Sequence, residues 1–513
     1  MNYMKLGKIL GKIMILESVL MLAPLVVSFL YAENLRYKLA FILPMAALVL
    51  IGGYLQTLKP TRETLYQKEG FALTATVWIV MALFGAIPFV ISGEISNYID
   101  ALFEIMSGFT TTGASVIADV TVLSHSILFW RGFSQWIGGM GILVFVLIFI
   151  PESNEGSSMH LLRAESPGPQ VGKIASKMKV TARILYLIYI ALTALEVVIL
   201  MLDKPIAGYE GEQFFFSLLT AFGCASTGGF SFLPGSMELF SPFSQYVMSI
   251  FLILFGCNFA LYYLLLLGKI KAAFKSEELR GYLLIVGAAV SFIFISLVGR
   301  FGAFPQSYTT EECFRHALFQ VASLMTTAGF TTTDYAMWPM LATMTLVVVM
   351  FLGGMAGSTG GGLKFSRIMI ALKGAYINVR RLINPRYVPT AKFEGKTLEQ
   401  KTINDVFAFI TLYFFILVGA IFLLSFDPVN GTMVTVVSDA GTYEVRHGFF
   451  TNFSAVLSSI SNVGPAFEAV GPYASFAGYS VVSKLLLSFV MLAGRLEILP
   501  VLILFSSKTW RRV

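Results

Sequence analysis

Long apolar runs alternate with short polar stretches along nearly the whole chain. Runs of about twenty mostly apolar residues, the length a helix needs to cross the hydrocarbon core, fall near 13–31, 39–58, 71–92, 126–150, 184–202, 243–267, 281–299, 340–353, 405–426 and 476–506. The pattern predicts ten transmembrane spans. The first run follows Lys5, Lys8 and Lys12 as a signal peptide would. It is long, however, it lacks a convincing small-residue cleavage site, and a second span follows at once, so it reads as a retained anchor.

A second pattern lies between the spans. Four outward loops each carry an apolar segment of about ten residues, too short to cross the membrane, at 101–109, 214–224, 317–325 and 450–460. Each runs into a six-residue word: TTTGAS at Thr110–Ser115, STGGFS at Ser226–Ser231, TTAGFT at Thr326–Thr331 and SNVGPA at Ser461–Ala466. Every word places glycine fourth, as Gly113, Gly229, Gly329 and Gly464. Four such words in matching contexts form an internal repeat with a period of roughly 100–135 residues. The predicted fold is an all-α polytopic membrane protein, with four parallel helix–pore-helix–filter–helix repeats around one pore, preceded by two extra transmembrane helices. The expected boundaries are 1–69 for the N-terminal pair, 70–150 and 184–280 for repeats one and two, 151–183 for a cytoplasmic loop between them, and 281–403 and 404–513 for repeats three and four.

Such a unit points to ions. Non-helical backbone is tolerated at membrane depth only where it is buried in protein or lines a watery cavity. Half-helices entering from outside aim their C-terminal ends, which carry partial negative charge, at that cavity. Successive carbonyls of the words can then replace the water shell of a monovalent cation. The expected filter residues are Thr110, Thr111, Thr112, Gly113, Ser226, Thr227, Gly228, Gly229, Thr326, Thr327, Ala328, Gly329, Ser461, Asn462, Val463 and Gly464. Asn462-Val463-Gly464 compares with the Thr-Val-Gly of potassium-channel filters, and Thr111, Thr227 and Thr327 hold the equivalent second position. The words lack the second glycine after tyrosine, which predicts fewer ion sites than a channel has.

Composition removes other classes. The chain is 56% hydrophobic and 13% charged over 513 residues, which excludes a soluble or disordered protein. Three cysteines without a CxxC pair and four scattered histidines supply neither a disulfide framework nor a zinc site. No nucleophile, base or metal constellation assembles into an enzyme. With the N-terminus in the cytoplasm and the spans alternating, Lys and Arg concentrate inside and Asp and Glu outside, as the positive-inside rule requires. That asymmetry explains the pI of about 9.1 without nucleic acid. An acidic outer face also raises the local cation concentration.

At this point the chain resembles potassium-uptake subunits of the TrkH type, within the Trk/Ktr/HKT superfamily. The resemblance rests on the four words, on SQWIGGMG at Ser134–Gly141, on Gly256-Cys257-Asn258-Phe259, on GGMAGSTGGGLK at Gly353–Lys364, and on Gly494-Arg495-Leu496-Glu497. The two leading spans are similar to the extra N-terminal pair of TrkH. The resemblance implies potassium uptake across the bacterial inner membrane, a potassium ion in the filter and no tightly bound cofactor. It also implies a homodimer and a TrkA-type cytoplasmic nucleotide-binding ring as regulatory partner. Within the superfamily, serine at the first filter glycine goes with sodium and glycine in all four words with potassium; here all four are glycine.

The stretch Gly353–Lys364 interrupts an otherwise long helix. A Walker A loop needs GxxxxGK[ST] after a strand, whereas here Leu363 separates Gly362 from Lys364 and a membrane helix precedes. So many glycines break a helix, and the segment reads as an intramembrane loop below the filter. The resemblance implies that Gly357, Ser358, Thr359, Gly360, Gly361 and Gly362 form a gate, with Lys364 beside it and Arg495 nearby. Intramembrane charges are functional candidates: Arg495 has the best claim, as a barrier to cations, against a structural pairing with Glu497 or snorkelling toward an interface. Lys484 and Glu17 read as interfacial, Glu196 has no assignment, and Arg315 and His316 read as structural.

The segment Lys364–Asp405 holds nine Lys and Arg against three acids and includes Arg380, Arg381 and Arg386. It suits either anionic membrane lipids or a docked partner ring. The 151–183 loop, with Pro167-Gly168-Pro169, is a second docking candidate. Two transport classes remain: a channel-like pore, and an alternating-access symporter coupled to sodium or protons. Parallel repeats favour the first, since many alternating-access folds use inverted ones.

Overall fold

The computed structural model describes residues 1–59, 66–141, 178–206, 208–209, 211–233, 235–299, 308–384, 390–438 and 441–510. Arg386 and most of the 151–183 loop therefore lie outside the described residues. At the N-terminus, helices Tyr3–Leu20 and Leu22–Leu30 form one long run packed against Leu35–Gln56. A β-carbon on Gly11 would lie 2.7 Å from the Gly52 carbonyl oxygen, and one on Gly52 2.8 Å from that of Gly11. The two glycines thus bring the helix backbones into direct contact, the usual source of association where lipid offers no hydrophobic gain.

Long helices precede each word: Gln67–Gly85 continuing as Ile87–Ser92, then Met178–Leu200, Glu277–Val298 and Gln400–Leu424. Large apolar side chains on them stay exposed, such as Leu187, Leu284 and Phe415, a surface suited to lipid. Among the described residues six helical segments are long and apolar enough to cross a membrane, or seven with one bent pair.

The helices that follow the words correct the expectation of ten plain spans. Pro242–Phe255 and Phe259–Leu266 meet at 92° within the run 243–267. Met340–Leu352 stops at Gly353, where the glycine-rich stretch predicts a break, and Val481–Arg495 breaks before Leu499–Phe505. His125–Gly139 ends in the same manner, and the rest of the run 126–150 lies outside the described residues. Hydropathy cannot register these breaks, because glycine and its apolar neighbours keep the average high through them.

The short apolar segments are helices Tyr98–Phe109, Gln213–Ser226, Thr310–Met325 and Phe449–Ser461, and most of their residues are buried. Side-chain caps start two of them. The Asn97 carboxamide accepts from the Ile99 N–H at 2.9 Å, and Thr309 forms a capping box with Glu312. Each packs between its own following helix and that of the unit before it. The first touches His125–Gly139 and Val481–Arg495; the second, Pro242–Phe255 and His125–Gly139; the third, Met340–Leu352 and Pro242–Phe255; the fourth, Val481–Arg495 and Met340–Leu352. The order closes on itself, so the four units surround one axis.

Candidate ion-conduction site

All four short helices end identically. In each word the second residue adopts the left-handed conformation: Thr111 at φ 53°, Thr227 at 52°, Thr327 at 64° and Asn462 at 57°. The third residue donates its N–H back to the helix, Thr112 to Ser107 O at 2.8 Å, Gly228 to Gly223 O at 2.8 Å, Ala328 to Ser323 O at 2.8 Å and Val463 to Ser458 O at 2.9 Å. This is the Schellman cap, in which glycine usually takes the left-handed place. A β-branched threonine there costs roughly 1–2 kcal/mol, and strain of that kind gathers at functional positions.

The fourth-place glycines build a ring. A β-carbon on Gly113 would collide with the Gly228 carbonyl oxygen, on Gly229 with that of Ala328, on Gly329 with that of Val463, and on Gly464 with that of Thr112. Each glycine faces the third-place carbonyl of the next word, and the fourth closes on the first. All four glycines have positive φ, from 73° to 100°, so both the space and the backbone angle demand glycine.

A second ring lies at the sixth place. Ser115 O accepts from the Phe476 N–H at 2.9 Å and Thr331 O from the Met237 N–H at 2.7 Å. Ser231 O accepts from Arg131 Nη1 at 3.0 Å, and Ala466 O from the Tyr335 hydroxyl at 3.0 Å. Every donor comes from the unit before the word it holds, so cyclic closure repeats at both levels.

Below the ring, at the first-place carbonyls, lies the glycine-rich loop. Gly360 packs so closely on the Thr326 carbonyl, and Gly361 on that of Ser461, that neither position admits a β-carbon. The Gly361 N–H donates to Thr327 Oγ1 at 2.6 Å. Cations hold the loop's own carbonyls: Lys364 Nζ donates to Gly360 O, and Arg495 Nη1 to Thr359 O at 2.8 Å. The other Arg495 nitrogen, Nη2, reaches Gly138 O at 2.5 Å and Gly139 O at 2.6 Å, at the break after the first word. Glu278 accepts from the Ala356 N–H at 2.8 Å, and its own N–H donates to Glu394 of the hairpin Lys392–Thr397 at 2.8 Å. The loop therefore joins words three and four above to a hairpin in the basic segment below.

With this geometry in hand, the family's sequence profile, TrkH, a cation transport protein, matches residues 38–512. The chain belongs to the TrkH family. It is 33% identical over the full length of both chains to the Trk system potassium uptake protein TrkH of Escherichia coli K12. It is 32% identical to the Trk system potassium uptake protein TrkG of the same strain, covering 98% of this chain and 97% of that one. The crystal structure of the potassium transporter TrkH from Vibrio parahaemolyticus superposes over the whole of both chains with a TM-score of 0.83 at 31% identity. Membership of a transport family places this multi-pass membrane protein outside the enzymes.

The sixteen word residues thus come together at one place, and Gly357–Gly362, Lys364 and Arg495 come together below them. Two of the charges read as interfacial are covered by protein. Lys484 is buried and pairs with Asp100 at 2.8 Å, because its helix packs on the first short helix. Glu17 is fully buried, facing the interior of the bundle. Glu497 pairs with Arg367 at 2.6 Å. Hydropathy gives the run in which such a residue lies but not the face it occupies.

Three further residues stand outside the set of site residues read from the sequence. Gln135 brackets the second word, donating to Gly228 O at 2.5 Å and accepting from the Phe230 N–H at 3.1 Å. Glu104 and Arg131 form a solvent-free ion pair at 2.8 Å. Arg131 lies within the apolar run 126–150, and that intramembrane charge is the signal that points to it.

Proposed function

We propose that this protein takes up potassium across the bacterial inner membrane, through one carbonyl-lined filter made by the four words, with Gly353–Lys364 as an intramembrane gate. The observation that carries this reading is the cyclic contact of each fourth-place glycine with the third-place carbonyl of the next word. Left-handed residues at alternate positions turn successive carbonyls to one side of a strand, the arrangement that replaces the water around a weakly hydrated monovalent ion. A tight ring of glycines favours potassium and rubidium over sodium and lithium. Membership of the family and the printed names of the relatives point the same way.

The loop and its two cations supply the barrier. Lys364 and Arg495 occupy carbonyls that a descending ion would otherwise use, and their charge repels that ion. Opening requires these donors to let go. The N- and C-termini are cytoplasmic, which puts the basic segment with Arg380, Arg381 and Arg386 where a TrkA-type ring docks on a homodimer, beside anionic lipid headgroups. Neutralising the three arginines releases a co-purified ring while leaving the pore intact; retention at raised salt would assign those charges to lipid.

The central test is flux. Purified protein in liposomes is expected to pass potassium and rubidium well above sodium and lithium. Sodium flux equal to or above potassium flux would refute the filter reading.

A further inference from the structure

We infer that the buried pair Glu104–Arg131 is a specificity-determining positioning element, fixing the spacing of words one and two at the outer mouth. The inference rests on the reading of the words as the filter. Glu104 lies on the first short helix and Arg131 on the helix after the first word, with side chains 0% and 2% exposed. Two guanidinium nitrogens meet the same carboxylate oxygen, Nη2 at 2.8 Å and Nε at 2.9 Å.

Each partner spends its remaining contacts on a word. Glu104 accepts from the Ser115 hydroxyl at 3.0 and 3.1 Å and from the Val116 N–H at 2.9 Å, at the outer end of word one. Arg131 donates to Ser231 O at 3.0 Å, at the outer end of word two, and lies 4.2 Å over the Phe230 ring. The pair therefore bridges the seam between adjacent words. One turn along the same helix, Gln135 holds Gly228 and Phe230 of the second word, so His125–Gly139 grips that word at two levels.

The other three sixth-place carbonyls are held by neutral donors. Only at Ser231 does an ion fill that role. Burying two ions carries a desolvation cost that an apolar pair of like size avoids, so burial energy does not account for them. Positional precision does: the planar guanidinium has fixed donor directions and cannot yield as a single hydroxyl can. The pair is neutral overall, so its influence on an ion acts through the positions of the carbonyls it fixes.

The experiment compares Arg131→Met, Glu104→Gln and Gly113→Ser in liposomes, reading the potassium-to-sodium flux ratio together with the folded, monodisperse fraction. Glu104→Gln preserves shape and the Val116 contact, which keeps the test available if Arg131→Met folds poorly. A clamp variant is expected to lower the ratio about fivefold, the scale of the net contribution of one ordinary hydrogen bond. A purely structural pair would lower total flux at constant ratio. If Gly113→Ser shifts the ratio while folded clamp variants stay at the wild-type value, the inference is overturned. If Gly113→Ser leaves the ratio unmoved as well, Gly113 serves packing alone, word one does not set selectivity, and the inference falls with the reading of that word as filter.

Discussion

In the words, four units repeat one cap, one left-handed residue and one glycine contact, and each unit is closed by its neighbour. Among the described residues the loop Gly353–Lys364 is the one glycine-rich break after a word, and a few side chains hold it: Arg495 of the fourth unit and Lys364 at its own end as donors, and Thr327 above as an acceptor. The ring owes its shape to backbone packing, so distorting one quadrant disturbs all four. The loop owes its shape to a few side chains, so removing one can free it. A selective filter needs the first property and a gate needs the second.

The largest test of this contrast acts on the loop. Arg495→Ala removes donors to Thr359, Gly138 and Gly139 at once, and deleting Ser358–Gly362 removes the obstruction itself. Either is expected to raise potassium flux without any partner by about tenfold, equivalent to about 1.4 kcal/mol of barrier. Selectivity should persist, because the words are untouched. Isotope uptake into liposomes decides. Equal or lower flux in both folded variants would make the loop a passive lining.

Next in size is a change to the ring. Gly113→Ser places a β-carbon against the Gly228 carbonyl at a residue with φ of 82°. Sodium is expected to gain on potassium by about fivefold, roughly 1 kcal/mol of lost discrimination. Here the ratio moves while the loop stays in place, the reverse of the Arg495 result. A folded variant with an unchanged ratio would show that Gly113 serves packing alone.

These two regions were not equally legible in the sequence. The words could be read because a collision with a neighbouring carbonyl permits only one residue type at the fourth place, and that constraint recurs four times. The glycine-rich break at 357–362 was legible for a similar reason, since so many glycines cannot sustain a helix. The cyclic contacts were not, because no local pattern records that Gly113 meets Gly228 rather than another word. Ion pairs such as Glu104–Arg131 and Lys484–Asp100 depend on helix rotation, which an apolar run leaves open when most of its faces are hydrophobic. The breaks in the other helices after the words were hidden by the same hydrophobicity.

The smallest expected effect lies where ring and loop touch. Thr327 belongs to the third word, yet its hydroxyl accepts the Gly361 N–H of the loop at 2.6 Å. Thr327→Val keeps the β-branch and hence the backbone strain, but removes the acceptor and leaves a buried N–H unpaired at a cost of about 1–3 kcal/mol. Relaxation of the loop relieves most of that cost, and the roughly 0.4–0.7 kcal/mol left on the closed form raises potassium flux without a partner by about two- to threefold. Because Arg495 tethers the same element, the double variant Thr327→Val/Arg495→Ala should show less than the product of the single effects. The potassium-to-sodium ratio should hold, since the Ala328 N–H keeps its bond to the Ser323 carbonyl and the Ala328 carbonyl its place against Gly229. If the ratio moves while flux stays constant, the Thr327 hydroxyl works for the ring, and the boundary between filter and gate lies below Gly361 rather than at this hydrogen bond.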